Sequence, residues 1–227
     1  MRVSAILALA LTSMAPIMMA KEDADQRLNA AAEVLSDMMN ANDKGIPQDL
    51  ISKSQCVVIV PGLKKGAFII GAKYGKGFVT CRRASGTGWT APGAIRVEGG
   101  SVGFQIGGSE QDVILLVMNK SGVDKLLKSQ FTVGGEGTVA AGPLGRDASA
   151  QTDALMRAEM LSYSRSRGIF AGISLQGATL REDDDANAEL YSKKLTNREI
   201  IAGDVAAPAS AAKLEALLNK TSMHRTK

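Results

Sequence analysis

The sequence predicts an α+β domain in which an antiparallel, glycine-rich β-sheet is flanked by N- and C-terminal helices. Three observations predict it. The 227 residues hold 24 Gly but only 4% aromatic residues, a balance that suits tight turns and close strand contacts better than a helix bundle. Apolar residues recur at helical spacing mainly near the two ends of the chain, and between those ends they run continuously or alternate, as in strands. At 45% hydrophobic and 22% charged, the chain has the composition of an ordinary globular protein with one core. We assign residues 21–220 to a single domain: a helical part over 21–52, a β-rich core over 55–180 and helices over 183–220.

The first twenty residues read as a secretory signal peptide. Arg2 gives a positive start, Val3 to Ala15 is apolar apart from small hydroxyl residues, Pro16 breaks the run, and Ala20 precedes Lys21. The expectation is cleavage after Ala20 and an exported, periplasmic or secreted product. An uncleaved anchor is the rival, but the run falls short of the ~20 residues that a spanning helix needs. The first cysteine is Cys56, so no lipid-attachment cysteine follows the apolar run. Loss of Arg2 lowers the formal charge of +4 by one, a mild balance that does not point to nucleic acid. Export permits a disulfide between Cys56 and Cys81. Spacing alone does not bring their Cα atoms within about 7 Å, so a bridge and two buried small hydrophobes both stay open.

From Lys21 to Asn42, Leu28, Ala31, Ala32, Leu35, Met38 and Met39 recur at steps of three and four between Asp25, Arg27, Glu33 and Asp37, which is an amphipathic helix. Its acid-rich polar side suits packing on the domain better than docking on lipid. Gly45 ends it, and Pro47 starts a short helix through Leu50 and Ile51. Cys56 to Val60 reads as a buried strand that Pro61 ends, and Ala67 to Ala72 as another. Tyr74-Gly75-Lys76-Gly77 reads as a turn before Phe78 to Cys81, which makes a three-stranded meander. Alternation of Ile95 and Val97, then of Val102, Phe104 and Ile106, predicts two half-exposed strands joined at Gly99-Gly100. Val113 to Met118 is a further strand, and Ser121 to Asp124 has capping-box spacing before Leu126 and Leu127. Val133 to Thr138 is a turn between two strand-like pieces. Met160 to Leu180 reads as a hairpin turning near Ser166-Arg167-Gly168. Helices follow at Asp183 to Lys193 and Ala211 to Leu218, and Thr221 to Lys227 is a polar, frayed tail.

The residues that carry chemistry are few. The single histidine, His224, sits in that tail, which leaves no Ser-His-Asp or Cys-His arrangement and no histidine-rich metal site. Asp183, Asp185 and Asn187 alternate like the start of a calcium loop, but Ala188 and Lys194 stand where the turn glycine and the bidentate glutamate belong. Acids capping a helix N-terminus explain them better. Gly134-Gly135-Glu136-Gly137 and Gly142-Pro143-Leu144-Gly145 lack the Gly-Lys-Ser/Thr ending of a phosphate loop and read as turns. We therefore expect no catalytic residue, no metal and no cofactor. One cluster stands out. Lys64, Lys65, Lys73, Lys76, Arg82 and Arg83 fall within twenty residues with no acid among them, and strand turns would bring several to one end of the meander. Such a cluster is either a solvated face that protects a sheet edge or an anion-binding patch.

The stretch Ser162-Tyr163-Ser164-Arg165-Ser166-Arg167-Gly168-Ile169-Phe170-Ala171-Gly172-Ile173-Ser174-Leu175-Gln176-Gly177, followed by Asp185-Ala186-Asn187 and Tyr191, resembles the hallmark of the SYLF domain family. That family is also described as the actin-binding domain of yeast cortical-patch proteins. Cys56 with Pro61, Gly71 to Gly77, Trp89 with Ala91-Pro92, Gly100 to Gly103 and Ala141-Gly142-Pro143 agree with it, so the resemblance covers about Leu28 to Leu218. It implies a non-enzymatic lipid-binding module, with phosphoinositide binding among eukaryotic members, actin binding among fungal ones and exported stand-alone forms in bacteria. The expected partner is an anionic lipid or membrane surface, met by the basic cluster and by Arg165 and Arg167. A protein-interaction or structural module of the envelope is the alternative, its protein partner open.

Overall fold

The computed structural model of the chain describes residues 23–41, 45–67, 70–102, 107–135, 138–145, 158–166, 169–171, 175, 177–203 and 205–222. Residues 1–20, expected to be a signal peptide, lie outside the described residues, as do Arg167 and His224. Helix α1 (Ala24–Asn40) starts where Asp23 accepts a hydrogen bond from the Asp25 amide at 3.1 Å. Leu28, Ala31, Ala32, Leu35 and Met38 face the core, as their spacing requires. Helix α2 (Gln48–Lys53) follows Pro47, which takes the capping position just before the first turn.

Among the described residues nine strands form one sheet: β1 (Cys56–Ala67), β2 (Ile70–Cys81), β3 (Gly93–Val102), β4 (Gly107–Val117), β5 (Gln130–Thr132), β6 (Val139–Ala141), β7 (Met160–Ser166), β8 (Ile169–Ala171) and β9 (Ala178–Glu182). Their spatial order is β5-β9-β3-β2-β1-β4-β7-β6, and β8 also pairs with β7. Every pairing is antiparallel except that of β6 with β7. Helix α3 (Lys120–Leu126) links β4 to β5, and α4 (Asp184–Tyr191), α5 (Asn197–Ala202) and α6 (Ala212–Thr221) close the chain. Among the described residues, no helix is long and apolar enough to cross a membrane.

Side-chain alternation divides the apolar residues between the two sides of this sheet. On one side Val57, Ile59, Phe78, Ile114, Leu116, Leu161 and Tyr163 pack against α1, α2, α4 and α6. On the other, Val58, Val60, Leu63, Val79, Val97, Val113 and Leu115 meet Phe131 on β5 and Leu180 on β9. The sheet curls to bring these outer strands over its centre, so the second core fills a concave side. This is the α+β architecture expected, with helices contributed by both ends of the chain.

Several strand boundaries differ from those read in the sequence. Pro61 does not end β1. The register shifts around Pro61-Gly62, a bulge in which the missing proline N–H costs no ladder bond, and pairing then resumes to Ala67. Tyr74-Gly75-Lys76-Gly77 is not a turn but the middle of β2, so the meander is a pair of twelve-residue strands rather than three short ones. Gly75 is there because a Cβ would stand 2.8 Å from Leu63 Cδ1 on the crowded concave side. Gly99-Gly100 likewise lies within β3. The cap of α3 is Asn119, which accepts from the Gly122 amide at 2.9 Å, in place of a capping box at Ser121. Ser166 does pair with Ile169 in a β7–β8 hairpin, but the return does not run on to Leu180. Ala178–Glu182 instead pairs with β3 and β5 on the far side of the sheet. Thr221 ends α6 rather than beginning a frayed tail, and Ser222 is buried and accepts from Trp89 Nε1 at 3.0 Å. Helix α5, with a capping box between Thr196 and Glu199, was not foreseen.

Candidate functional site

Beyond the bulge, alternation sends successive residues of β1 to opposite sides of the sheet. Leu63 belongs to the concave core, so Lys65 shares its side and Lys64 points to the helix-covered side. On β2, Lys73 stands directly opposite Lys65, and Tyr74 opposite Lys64. The hairpin thus places Lys64, Lys65 and Lys73 at one end of the sheet. Lys64 is exposed, Lys65 half-buried and Lys73 only 9% exposed. Burial lowers the pKa of both Lys65 and Lys73, and the charge of Lys73 lowers that of Lys65 further.

Strand β4 completes this end. Ser109 pairs with Lys65 and Gln111 with Leu63, on the concave side, whereas Glu110 pairs with Lys64 on the other. An open groove of about 980 Å³ runs between these residues and Arg165 and Ser166 of β7. On the helix-covered side, Arg27 of α1, Lys64, Tyr74 and Lys76 line a smaller hollow of about 240 Å³. Tyr74 is 48% exposed, an uncommon state for a large side chain in the middle of a strand.

The remaining basic candidates are placed elsewhere or are held by structural contacts. Lys76 Nζ lies 2.6 Å from Oδ2 of Asp183, which is 1% exposed and also caps α4 by accepting from the Ala186 amide. Asp183 therefore caps this helix, with Asp184 and Asp185 in its first turn. Asn187 bonds the Ala94 amide at 2.7 Å and the Asn197 side chain at 2.9 Å, which makes it a structural link rather than a ligand. Arg82 donates to the carbonyls of Ile51, Ser52 and Ser54 at the end of α2 and lies 4.5 Å from the Trp89 ring centroid. Arg83 donates to the Trp89 carbonyl at 2.8 Å. Nine residues of extended strand, roughly 30 Å, separate Arg82 from Lys73. Arg165 pairs with Asp37 at 2.7 Å and with Asp112 at 3.6 Å, pinning β7 to α1, and the hydrogen bond to Asp37 raises its pKa. Cys56 and Cys81, directly opposite in the β1–β2 ladder, are joined as a disulfide at the other end of the hairpin from the lysines.

The sequence missed the contributions of Tyr74, Ser109 and Gln111. The available signal was the alternation of Ser109 and Gln111 with Glu110 and Asp112 before the apolar run of β4, which marks a strand leaving the core with polar groups of different kinds on its two sides.

The family model described as Ysc84, Las17-binding protein actin regulator, matches residues 98–221, from β3 through α6. The chain belongs to the Ysc84 (SYLF) family. An SH3 domain-containing protein of Schizosaccharomyces pombe is 38% identical over 177 residues, covering 77% of this chain and 41% of that protein. SH3 domain-containing YSC84-like protein 1 of Rattus norvegicus is 36% identical over 181 residues, covering 79% of this chain and 53% of the relative. Protein YSC84 of Saccharomyces cerevisiae is 31% identical over 205 residues, covering 87% and 43%. The chain spans about half the length, or less, of these curated relatives. Ysc84 proteins form a family of binding and regulatory domains rather than of enzymes.

Proposed function

We propose that the mature Ysc84 domain is a non-catalytic, exported binding module of the cell envelope that adheres to anionic phospholipid through the end of its sheet. The observation that carries this reading is the convergence of Lys64, Lys65 and Lys73 on two paired strands at that end. Each basic residue near an anionic bilayer contributes about 1 kcal/mol, so three suffice for reversible peripheral binding at low salt. Arg82, Arg83 and Arg165 take no part, because their guanidinium groups already serve α2, Trp89 and Asp37. A protein partner is the second reading. It is favoured by the family's Las17-binding description and by the half-exposed Tyr74 beside Lys64.

Flotation with anionic and neutral liposomes across a salt series tests the reading. The mature chain should float with anionic vesicles only, less so as salt rises. Replacing Lys64, Lys65 and Lys73 together by Gln should weaken binding at least about tenfold. If the wild type ignores both vesicles, or binds them with no salt dependence, the membrane reading fails and a protein partner takes its place.

A further inference from the structure

Strand β4 outruns one of its neighbours. It pairs with β1 from Gly107 to Val117, but with β7 only from Asp112 to Val117. Beyond Arg165, β7 turns into its hairpin with β8, where Ser166 pairs with Ile169. Residues 107–111 of β4 therefore keep one edge paired and one edge open among the described residues.

The groove of about 980 Å³ runs along that open edge, and Gly108, Ser109, Glu110, Gln111 and Asp112 line it in unbroken succession. A hollow over one side of a strand is lined by alternate residues, so a consecutive lining means that the groove faces the main chain itself. The Glu110 carbonyl points into it, since Ser166 Oγ donates to that oxygen at 3.1 Å. In an antiparallel ladder the N–H and C=O of one residue point the same way and alternate from residue to residue, so the Glu110 N–H and both main-chain groups of Gly108 point there too. Gly108 also leaves the approach clear, because a Cβ there would come no nearer to a neighbour than 3.8 Å, from the Lys65 carbonyl oxygen.

The side chains along the edge are chemically distinct on its two sides. Glu110 is exposed and forms no ion pair among the described residues, although Lys64 stands opposite it on β1. Asp112, on the same side, already serves Arg165 and the Gly62 amide. Ser109 and Gln111 lie on the other side, and Gln111 Oε1 accepts no hydrogen bond among the described residues.

We propose that residues 107–111 of β4 form a slot into which an extended peptide of a partner protein adds as an antiparallel strand, with a basic residue opposite Glu110 and hydroxyl residues opposite Ser109 and Gln111. The added strand takes the direction of β7, the neighbour that β4 loses at Asp112. Main-chain bonds to Gly108 and Glu110 supply the affinity, and alternate side chains supply the specificity. The basic residue meets the carboxylate that lacks a partner, and a hydroxyl donates to Gln111 Oε1. Glu110 repels an acidic strand, so the edge is guarded against most strands and open to a basic one. The slot rests on the protein-partner reading, to which it gives a site and a mode, and it makes no use of membrane adhesion.

The probe is an acetylated, amidated heptapeptide of threonine with one central lysine, titrated into the mature chain and followed by NMR. The amides of Gly108 and Glu110 should shift, and a peptide with central glutamate should bind about tenfold more weakly. Glu110→Lys should reverse that preference. N-methylation of the peptide at its lysine and two residues further on should abolish binding, whereas the same two methyl groups moved by one residue, onto amides that point away from β4, should be tolerated. Gly108→Pro removes an N–H that faces the groove rather than the ladder with β1 and should weaken binding about fivefold. If that variant does not fold, the exposed Glu110→Lys decides. Binding that ignores the register of N-methylation, or a preference that Glu110→Lys leaves unchanged, overturns the slot and reduces the contact to surface charge. No binding of either peptide overturns it as well, while binding of a whole partner protein elsewhere on the chain would keep the protein-partner reading. Peptide binding by a chain that ignores vesicles keeps the slot and sinks only the membrane reading.

Discussion

Glu159 joins three segments that are far apart in sequence. Its carboxylate accepts from Lys125 Nζ at 2.6 and 2.8 Å, from Ser121 Oγ at 2.5 Å and from the Thr138 amide at 3.0 Å, so α3 and the start of β6 are held to the start of β7. Burial alone would raise its pKa, but the hydrogen bonds from Lys125, Ser121 and Thr138 hold it below the usual value of 4.5. A carboxylate lowered in the folded state stabilises fully above its unfolded pKa, and the gain is lost as pH falls through the folded value. Glu159→Gln should therefore lower stability at neutral pH by about 1 kcal/mol, the scale of a partly exposed ion pair with its hydrogen bonds. The variant and wild type should converge only in acid, as pH falls through the lowered folded-state pKa of Glu159. Thermal unfolding at a series of pH values checks this, and a constant difference down to acid would show that packing rather than charge holds the junction.

Helix α6 is fixed at its far end by a single buried pair. Trp89 Nε1 donates to Ser222 Oγ at 3.0 Å, and Ser222 Oγ donates back to the Leu218 carbonyl at 2.5 Å. Truncation after Ser222 should be silent. Truncation after Lys220 leaves the indole N–H without its partner in a buried site and should cost about 1–3 kcal/mol. Denaturant midpoints of the two truncated chains separate these outcomes, and equal midpoints would mean that Thr221 and Ser222 add nothing to stability. At this scale the helices that pack on the core were legible, because apolar residues at three- and four-residue spacing have one physical meaning. Strand ends were not. Pro61 and Gly75 carry turn chemistry in isolation, yet one sits in a bulge and the other makes room for Leu63, and both roles depend on a neighbouring strand. The partner of β9 lies some eighty residues back in β3, where no local pattern announces it. Helix α5 was hidden because its six residues bury only Asn197 and Ile200, too few for a visible period.

For the whole molecule, legibility followed the distance along the chain over which groups are brought together. Lys64, Lys65 and Lys73 belong to one hairpin, so their meeting could be anticipated, whereas two twelve-residue strands carry Arg82 to the opposite end and a separation of 128 residues hides the Asp37–Arg165 pair. The same hairpin is the centre of the sheet, with β3 and β4 on its outer edges, and the Cys56–Cys81 bridge closes its base. A cross-link over a separation of 25 residues removes loop-closure entropy from the unfolded chain amounting to about 3 kcal/mol, an effect on the unfolded state rather than on new folded contacts. Reduction should accordingly lower the unfolding free energy by about 3 kcal/mol and raise the denaturant m-value, because the reduced chain exposes more surface when it unfolds. Vesicle binding by the folded protein should be unchanged, since the bridge lies at the end of the hairpin away from Lys64, Lys65 and Lys73. Urea unfolding of the wild type with and without reductant makes the measurement without opening the cavity that a cysteine-to-alanine change would leave. Equal midpoints under the two conditions, with thiol titration confirming reduction, would mean that the sheet's own pairing already determines the compactness of the unfolded chain. Loss of vesicle binding on reduction, with the fold intact, would instead mean that the two ends of the hairpin are coupled.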